Sequence, residues 1–344
     1  MALLGQTGID AATAGKLDSA IQKLNLTWLN PKQIFEQTLT GAVATFDYQT
    51  GDEIKFWMRL AAYREQKKSL TAQRDWSETG KVLAASVGYN RYDLHAEQIP
   101  ISSTSDPYGI FMQFAENATD YFTRFPLRRV VNEVLQSNPA CLFDGLPLFN
   151  AAHKIDPTAK VVKTFSNDLT FKISETGWSG LKDAIIQIPA PNGYLANATM
   201  GVPEIWVPTD AMHVKFAKLF GVGNGGSGGT FQAKDFTTYA ASESITVTSR
   251  AIVRTVPELL AGKDIDSGAT LDADAALHYY VFLNTSSVDR GVVVRMPRPM
   301  TVKRSSGGAD DPSVAESNTM RAWSDCEAGF APGLPQKVFR VKDA

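Results

Sequence analysis

The stretch FDGLPLFNAAHKID, residues 143–156, decides how the fold of this chain is interpreted. It places His153 between two carboxylates, Asp144 and Asp156, behind a Gly-Leu-Pro sequence. Asp followed by Gly is typical of a tight turn, because glycine adopts backbone angles that other residues avoid. Two interpretations follow: an active-site loop built around a histidine, or a structural connector.

The residues before this stretch carry the clearest helical pattern in the chain. Apolar residues recur at steps of three and four, which predicts an amphipathic helix over about 109–137. The pattern slips in phase at Pro126, whose ring and missing N–H predict a kink or a break. Asn138-Pro139 predicts the end of the helix. A long helix with one apolar stripe requires a sheet or another layer to lie on.

The residues after the stretch predict two further helices and then a series of strands. Ser174 is a plausible N-cap for a helix from Glu175 to about Ile188. A buried strand, 205–207, precedes a helix that Gly221 would close. Beyond that glycine the chain is rich in strand patterns, from ITVTSRAIVRTV to QKVFRV. A few helices followed by strands indicate the α+β class rather than a doubly wound fold.

Composition and charge exclude several classes of protein. The 34 basic and 36 acidic residues give 344 residues a net charge of −2, so no overall field attracts nucleic acid or an anionic membrane. The two cysteines have no metal-type spacing, which argues against a disulfide framework or a zinc site. Without a signal-peptide pattern or an apolar run of about 18 residues, we expect a soluble protein made in the cytoplasm, with no membrane partner.

The glycine run GVGNGG, residues 221–226, matches the GxGxxG pattern of dinucleotide-binding proteins. That pattern binds pyrophosphate when a strand precedes it and a helix follows. Here a helix is predicted before it, so the run is better interpreted as a loop. No GxxxxGK[ST] phosphate-binding motif occurs. We therefore predict no cofactor.

The chain has four histidines, at positions 95, 153, 213 and 278, far apart and without a paired-ligand spacing. They predict no metal site. Catalysis is the open alternative for one of them: His153 with Asp144 or Asp156 could act as the general base of a hydrolase. No GxSxG nucleophile motif accompanies it.

Basic and aromatic residues alternate between residues 52 and 105, a pattern that permits contact with nucleic acid. Interleaved acidic residues dilute the charge and favour an exposed surface that pairs with a neighbouring subunit. A smaller basic cluster lies on the predicted long helix. The predicted inter-subunit contacts are Lys55, Arg59, Arg64, Lys67, Lys68, Arg74, Trp76, Arg91, Arg124, Arg128 and Arg129.

The order of these features resembles the major capsid proteins of tailed phages, which have the HK97-type fold. The stretch with Asp144, Gly145, Leu148, Phe149 and His153 is similar to the DG-x-x-LF-x-x-x-H segment of the Mu-type major head subunits. IWVPTDAMHVKFAKLF resembles an element of the family's A domain, and MRAWSDCEAGFAPGLPQKVFRV resembles its closing strands.

The resemblance implies a division of the chain. Residues 1–50 would form an N-terminal arm and 51–105 an extended E-loop-like region. Residues 106–185 would form the P domain with its spine helix, at about 109–137. Residues 186–292 would form the A domain, and 293–344 would return to the P domain.

The resemblance also implies a function without catalytic residues. The subunit would assemble into hexamers and pentamers of an icosahedral shell that encloses double-stranded phage DNA, and it would be located in the virion. Scaffold, portal and decoration proteins would be partners, and packaged DNA could touch the shell non-specifically. The alternative on the same fold is a nanocompartment shell that packages a cargo enzyme.

Overall fold

The computed structural model describes residues 39, 43–47, 53–58, 81–100, 123–157, 163–190, 195–198, 200–220, 236–239, 243–247, 251–283, 290–304 and 319–344. In several strands only the backbone is described. The helices described over more than one residue are α1 (residues 123–136), α2 (Glu175–Ile186) and α3 (Asp210–Leu219). Short 3₁₀ turns span Pro257–Leu260, Ala275–Leu277 and Pro335–Lys337.

The described strands lie in four sheets. They are β1 (Ala44–Asp47), β2 (Glu53–Met58), β3 (Lys81–Ser86), β4 (Asn90–Pro100), β5 (His153–Lys154), β6 (Thr164–Phe165), β7 (Asp168–Thr170), β8 (Glu204–Val207), β9 (Phe236–Tyr239), β10 (Glu243–Val247), β11 (Ile252–Thr255), β12 (His278–Phe282), β13 (Val292–Arg304), β14 (Thr319–Pro332) and β15 (Val338–Lys342).

Two of these sheets dominate the described structure. The larger has seven strands in the order β7-β15-β12-β8-β11-β10-β9, and the smaller has four in the order β1-β13-β14-β4. The pairs β2-β3 and β5-β6 form two-stranded sheets. The larger sheet mixes parallel and antiparallel pairs, because β8 pairs parallel with β11 and antiparallel with β12. Mixed pairing beside helices is the α+β arrangement predicted from the sequence.

The seven-stranded sheet is covered on both faces. Side chains of a strand alternate between faces, so in β12 Tyr280 and Phe282 face one core and Tyr279 and Val281 face another. The first core also contains the apolar residues of α1 and of the four-stranded sheet. The second contains the apolar residues of α2 and α3. Burial on both faces explains why HYYVF is apolar at nearly every position.

Helix α1 lies between the two sheets, and the sequence pattern around Pro126 correctly predicts a helix there. Over its described part, residues 123–136, the helix is not split at Pro126, and residues 109–122 of the predicted helix lie outside the described residues. Its hydrogen-bond pattern widens instead, and Val130–Gln136 is π-helical. The N–H of Ser137 bonds to the carbonyl of Asn132 at 3.1 Å, five residues back. The helix ends before Asn138, as predicted, and Asn138 has a positive φ of 49°.

The predicted start of α2 is confirmed, and α3 begins with a cap of the same kind. The Ser174 side chain accepts a hydrogen bond from the Gly177 N–H at 3.1 Å, and Thr209 accepts one from the Met212 N–H at 3.2 Å. Each cap satisfies an N–H that has no partner inside its helix. Gly221, the predicted end of α3, lies outside the described residues.

Candidate functional site

The connector loop, residues 138–155, follows α1 and begins with a tight turn. The Cys141 N–H bonds to the Leu146 carbonyl at 2.6 Å, and the Gly145 N–H bonds to the Cys141 carbonyl at 2.9 Å. The Asp144 carboxylate accepts from the Leu146 N–H at 3.1 Å. Gly145 has a φ of 75°, in the left-handed region that glycine enters readily. Asp-Gly is thus used here as a turn.

His153 and Asp144 form a buried pair inside this loop. His153 Nδ1 lies 2.8 Å from Asp144 Oδ2, and both side chains are 0% exposed. His153 Nε2 lies 2.8 Å from the carbonyl oxygen of Leu148. Asp144 also accepts from the Lys154 N–H at 3.1 Å, and the Phe165 ring stacks on the imidazole with centroids 5.5 Å apart.

Both ring nitrogens of His153 face hydrogen-bond acceptors. A carbonyl oxygen can only accept, so Nε2 donates to Leu148. Burial acts to raise the pKa of Asp144, but the hydrogen bond and charge of His153 and the backbone N–H groups outweigh it and hold that pKa below its ordinary value. An ionised Asp144 can only accept as well, so Nδ1 also donates. Both ring nitrogens of His153 are therefore occupied by acceptors, the Asp144 carboxylate and the Leu148 carbonyl.

This geometry argues against the hydrolase alternative. Of the two carboxylates that flank His153 in the sequence, Asp144 is the one it contacts. A general base needs a nitrogen that can reach the proton of a substrate. Both nitrogens of His153 are bonded, and the side chain is shielded from solvent. The arrangement supports a structural role for the histidine.

Asn167 joins the connector loop to the last strand, and sequence reasoning missed it. Its Nδ2 lies 2.7 Å from the carbonyl oxygen of Leu148, 3.1 Å from that of Pro335 and 3.2 Å from that of Val338. Its Oδ1 accepts from the Asn150 N–H at 2.9 Å. Asn167 is 0% exposed. A polar residue between two short strands, in FSNDLTF, was the available signal.

Leu148 and Phe149 are the apolar anchors of the loop in the core. Both are buried. The Phe149 ring lies 5.5 Å from the Tyr280 ring, and the Arg340 guanidinium lies 5.1 Å from the Phe149 centroid. Arg340 in turn forms two hydrogen bonds to Asp168, at 3.0 and 2.7 Å. The loop is therefore attached to both β12 and β15.

A second polar cluster surrounds Arg129 on α1. Its Nη1 lies 2.7 Å from Asp266 Oδ2 and 3.2 Å from Glu133 Oε1, and its Nη2 lies 3.2 Å from Asp266 Oδ1. The guanidinium stacks over the Tyr92 ring at 4.6 Å. The Tyr92 hydroxyl donates to Glu133 at 2.8 Å. Burial is the strongest influence on Glu133 and raises the pKa of its carboxyl.

Replacing Arg129 with methionine is expected to lower the free energy of unfolding by about 1.5–3 kcal/mol, because Glu133 then loses a charge-assisted hydrogen bond. Urea denaturation of the unassembled subunit measures this change. Arg91→Met is the control, since Arg91 is 61% exposed and lies 3.5 Å from Asp325. Arg91 is exposed and Asp325 keeps a second partner, Arg298, at 3.0 Å, so this loss is expected to be less than about 1 kcal/mol. Equal losses in the two variants would contradict the role given to Arg129.

Arg124 and Arg128 lie with Arg129 on α1, where the sequence predicts contacts with other subunits. Arg124 pairs with Glu258 of the same chain at 3.2 Å, as Arg129 does with Asp266. Arg128 is partly buried. Arg124 and Arg129 therefore form ion pairs within the chain. A contact with a neighbouring copy stays a prediction.

The remaining predicted contacts lie mostly beyond what the structure describes. Only the backbone of Lys55 is described, in β2. Outside the described residues lie Arg59, Arg64, Lys67, Lys68, Arg74 and Trp76. The glycine run 221–226 and the first 38 residues of the arm also lie outside them. These predictions stay untested.

Two further histidines are held by hydrogen bonds. His213 Nδ1 lies 3.0 Å from Thr255 Oγ1, and burial lowers the pKa of His213 despite the charge of Asp210. His278 Nδ1 lies 2.7 Å from Asp272 Oδ2. Within the described ranges, no three His, Cys, Asp or Glu side chains are placed to hold a metal ion. None of the described helices has the length and apolar character needed to cross a membrane.

Comparison with solved structures identifies the class of fold. A chain from the capsid of cyanophage P-SCSP1u superposes with a TM-score of 0.54 at 12% identity, over 88% of this chain and 86% of its own. A chain from the capsid of cyanophage Pam1 gives a TM-score of 0.50 at 11% identity, over 90% of this chain and 92% of its own. The fold is therefore that of phage capsid proteins.

More particularly, it is the HK97-type fold of the major capsid proteins of tailed phages, and the predicted α+β class is confirmed. No protein-family model matches the sequence. No curated protein matches it either. The likeness to the Mu-type head subunits, which rests on the connector loop, stays a prediction.

Proposed function

We propose that this chain is a major capsid subunit that assembles with copies of itself into an icosahedral shell around double-stranded phage DNA. The observation that carries the proposal is a fold likeness to two cyanophage capsid chains that spans 88% and 90% of the chain. In this function the subunit belongs to the virion, and its copies form hexamers and pentamers. Scaffold, portal and decoration proteins are the expected partners.

The buried polar groups are consistent with a structural subunit. The His153–Asp144 pair is shielded from solvent and bonded on every side, so it fixes the connector loop instead of offering a reactive group. A shell contains its DNA without reading sequence, so an overall charge of −2 does not conflict with this role. We expect no catalytic activity from His153.

Within this function we assign residues 1–50 to an arm, 51–105 to an extended loop and 106–185 to the P domain. We assign 186–292 to the A domain and 293–344 to the return into the P domain. The parallel pairing of β7 with β15 supports the grouping of 106–185 with 293–344, because it joins the two segments in one sheet. The seven-stranded sheet crosses the boundary at 185–186, since it includes β7 and β15 beside β8.

Purified protein, expressed alone or with its scaffold, is expected to form closed shells of uniform diameter in negative-stain electron microscopy. Closed symmetric assembly requires large and specific contacts between copies. Sedimentation of the same sample measures the assembled fraction. A subunit that remains monomeric under all assembly conditions contradicts the proposal.

The contents of the particles separate this function from the nanocompartment alternative. Particles isolated from the native host are expected to contain double-stranded DNA that resists added nuclease. A shell filled with a cargo enzyme and free of protected DNA would assign the chain to the alternative. The neighbouring genes provide a second check, because a portal gene and a protease gene accompany a phage head.

A further inference from the structure

The segment between β11 and β12 forms a hairpin, residues 262–271, whose tip approaches helix α1. Lys263 and Thr270 form a β-bridge, and the Asp264 N–H bonds to the Ala269 carbonyl at 2.7 Å. The base of the hairpin is attached to α1 by side chains of the helix: Asn132 Nδ2 donates to the Lys263 carbonyl at 3.1 Å. Gln136, one helical turn further, binds the preceding 3₁₀ turn.

Among the described residues, the tip beyond Lys263 reaches α1 through Asp266, which forms two hydrogen bonds to Arg129. The two partners differ sharply in exposure, because the Arg129 side chain is 12% exposed and the Asp266 side chain is 69% exposed. Bidentate pairing fixes the direction of the tip as well as its distance from the helix. Exposure of the carboxylate makes the pair sensitive to dissolved salt.

Arg129, the buried member of this pair, keeps other partners when Asp266, the exposed member, moves away. Arg129 is also bonded to Glu133 and stacked over Tyr92, while a released Asp266 carboxylate can be hydrated. Opening the pair therefore leaves no buried charge without a partner, which is the outcome that makes broken ion pairs costly. The His153–Asp144 pair lacks this property, since both of its members are buried.

We propose that Arg129 and Asp266 form a reversible latch that holds the 262–271 hairpin against helix α1 and opens as ionic strength rises. The charged and titratable groups that interact with Arg129 include Glu133 on its own helix, Tyr92 on β4, and Asp266 and Asp264 on the hairpin. When the latch opens, the hairpin tip moves while the core beneath it stays folded. The latch goes beyond the proposed function and is a property of the single subunit.

A nitroxide at position 269 tests the latch on the unassembled full-length chain. Ala269→Cys introduces an exposed cysteine, whereas Cys141 and Cys326 are buried and unlabelled. Asp266→Asn is expected to raise the ratio of mobile to immobile label about three- to tenfold in the electron paramagnetic resonance spectrum. In the labelled chain with Asp266 intact, raising the salt from about 0.1 M to 1 M is expected to increase the ratio of mobile to immobile label by a similar factor. Exposed charges are screened over this range.

The matched control is Asp274→Asn, which removes an exposed carboxylate that pairs with Lys342 rather than with α1. It is expected to leave the label at position 269 immobile and the response to salt intact. Asp266→Asn is expected to abolish the response to salt. Equal label mobility in the two variants, or a response to salt that survives Asp266→Asn, would overturn the latch. Neither result bears on assembly into shells, so failure of the latch and failure of the proposed function are distinguishable.

Discussion

Replacing His153 with alanine is expected to lower the free energy of unfolding by about 3–5 kcal/mol. The substitution leaves the Asp144 carboxylate buried and without its partner His153, since both side chains are 0% exposed. It also removes the donor to the Leu148 carbonyl. Urea denaturation of the unassembled subunit measures the change. A loss below about 1 kcal/mol would contradict the buried ion pair.

The double variant His153→Ala/Asp144→Ala separates the pair from general damage to the loop. Removing both partners leaves no buried charge, so we expect the double variant to be less destabilised than the sum of the single variants. His278→Ala is the matched control. That histidine also bonds to a carboxylate, Asp272, but the two side chains are 10% and 8% exposed. Water can reach this carboxylate in part, and we expect a smaller loss.

The effect of His153→Ala is also expected to depend on pH. The pKa of Asp144 is lowered in the folded chain, so the pair contributes stability above the unfolded pKa of about 3.9. That contribution disappears as the pH falls through the lowered pKa. The difference between His153→Ala and the natural sequence should therefore shrink in strongly acidic solution. A difference that grows towards acid would contradict an ionised Asp144.

The elements that sequence patterns predict well are those whose signal is local. Ser174 predicts the cap of α2 because its hydroxyl bonds three residues away, and the apolar run HYYVF predicts a buried strand because both of its faces pack. The resemblance that indicated the fold also depended on a local string, the Asp-Gly turn with its histidine.

The parts that the sequence does not reveal depend on pairs that are distant along the chain. Asn167 bonds to the carbonyl groups of Pro335 and Val338. The sequence around Asn167 does not indicate these partners, which lie 168 and 171 residues away. The basic residues around Arg129 did not indicate its partner Asp266, which lies 137 residues further along the same chain. Within the described residues 123–136 the helix is unbroken at Pro126. Tertiary contacts decided the cases of Asn167 and Arg129.

A loss of stability that also grows with rising pH is expected when a carboxylate is placed at Asn167. Asn167→Asp keeps the size of the side chain but sets an acceptor against the Leu148, Pro335 and Val338 carbonyls, where the amide now donates. We expect a loss of about 3–5 kcal/mol near pH 8, because an unpaired buried charge replaces a bonded amide. Urea denaturation over a range of pH measures it.

The sign of the pH effect tests the environment directly. Burial against carbonyl oxygens raises the pKa of the introduced carboxyl above its unfolded value of about 3.9. The folded state then binds the extra proton more tightly, so the variant loses stability as the pH rises from about 4 towards 8. Asn150→Asp is the control, since the Asn150 side chain oxygen accepts from the Ala152 N–H and a carboxylate preserves that bond. We expect little loss in the control. A pH-independent loss at Asn167 would show that the carbonyls turn away from the new side chain and that Asn167 does not fix the last strand to the connector loop.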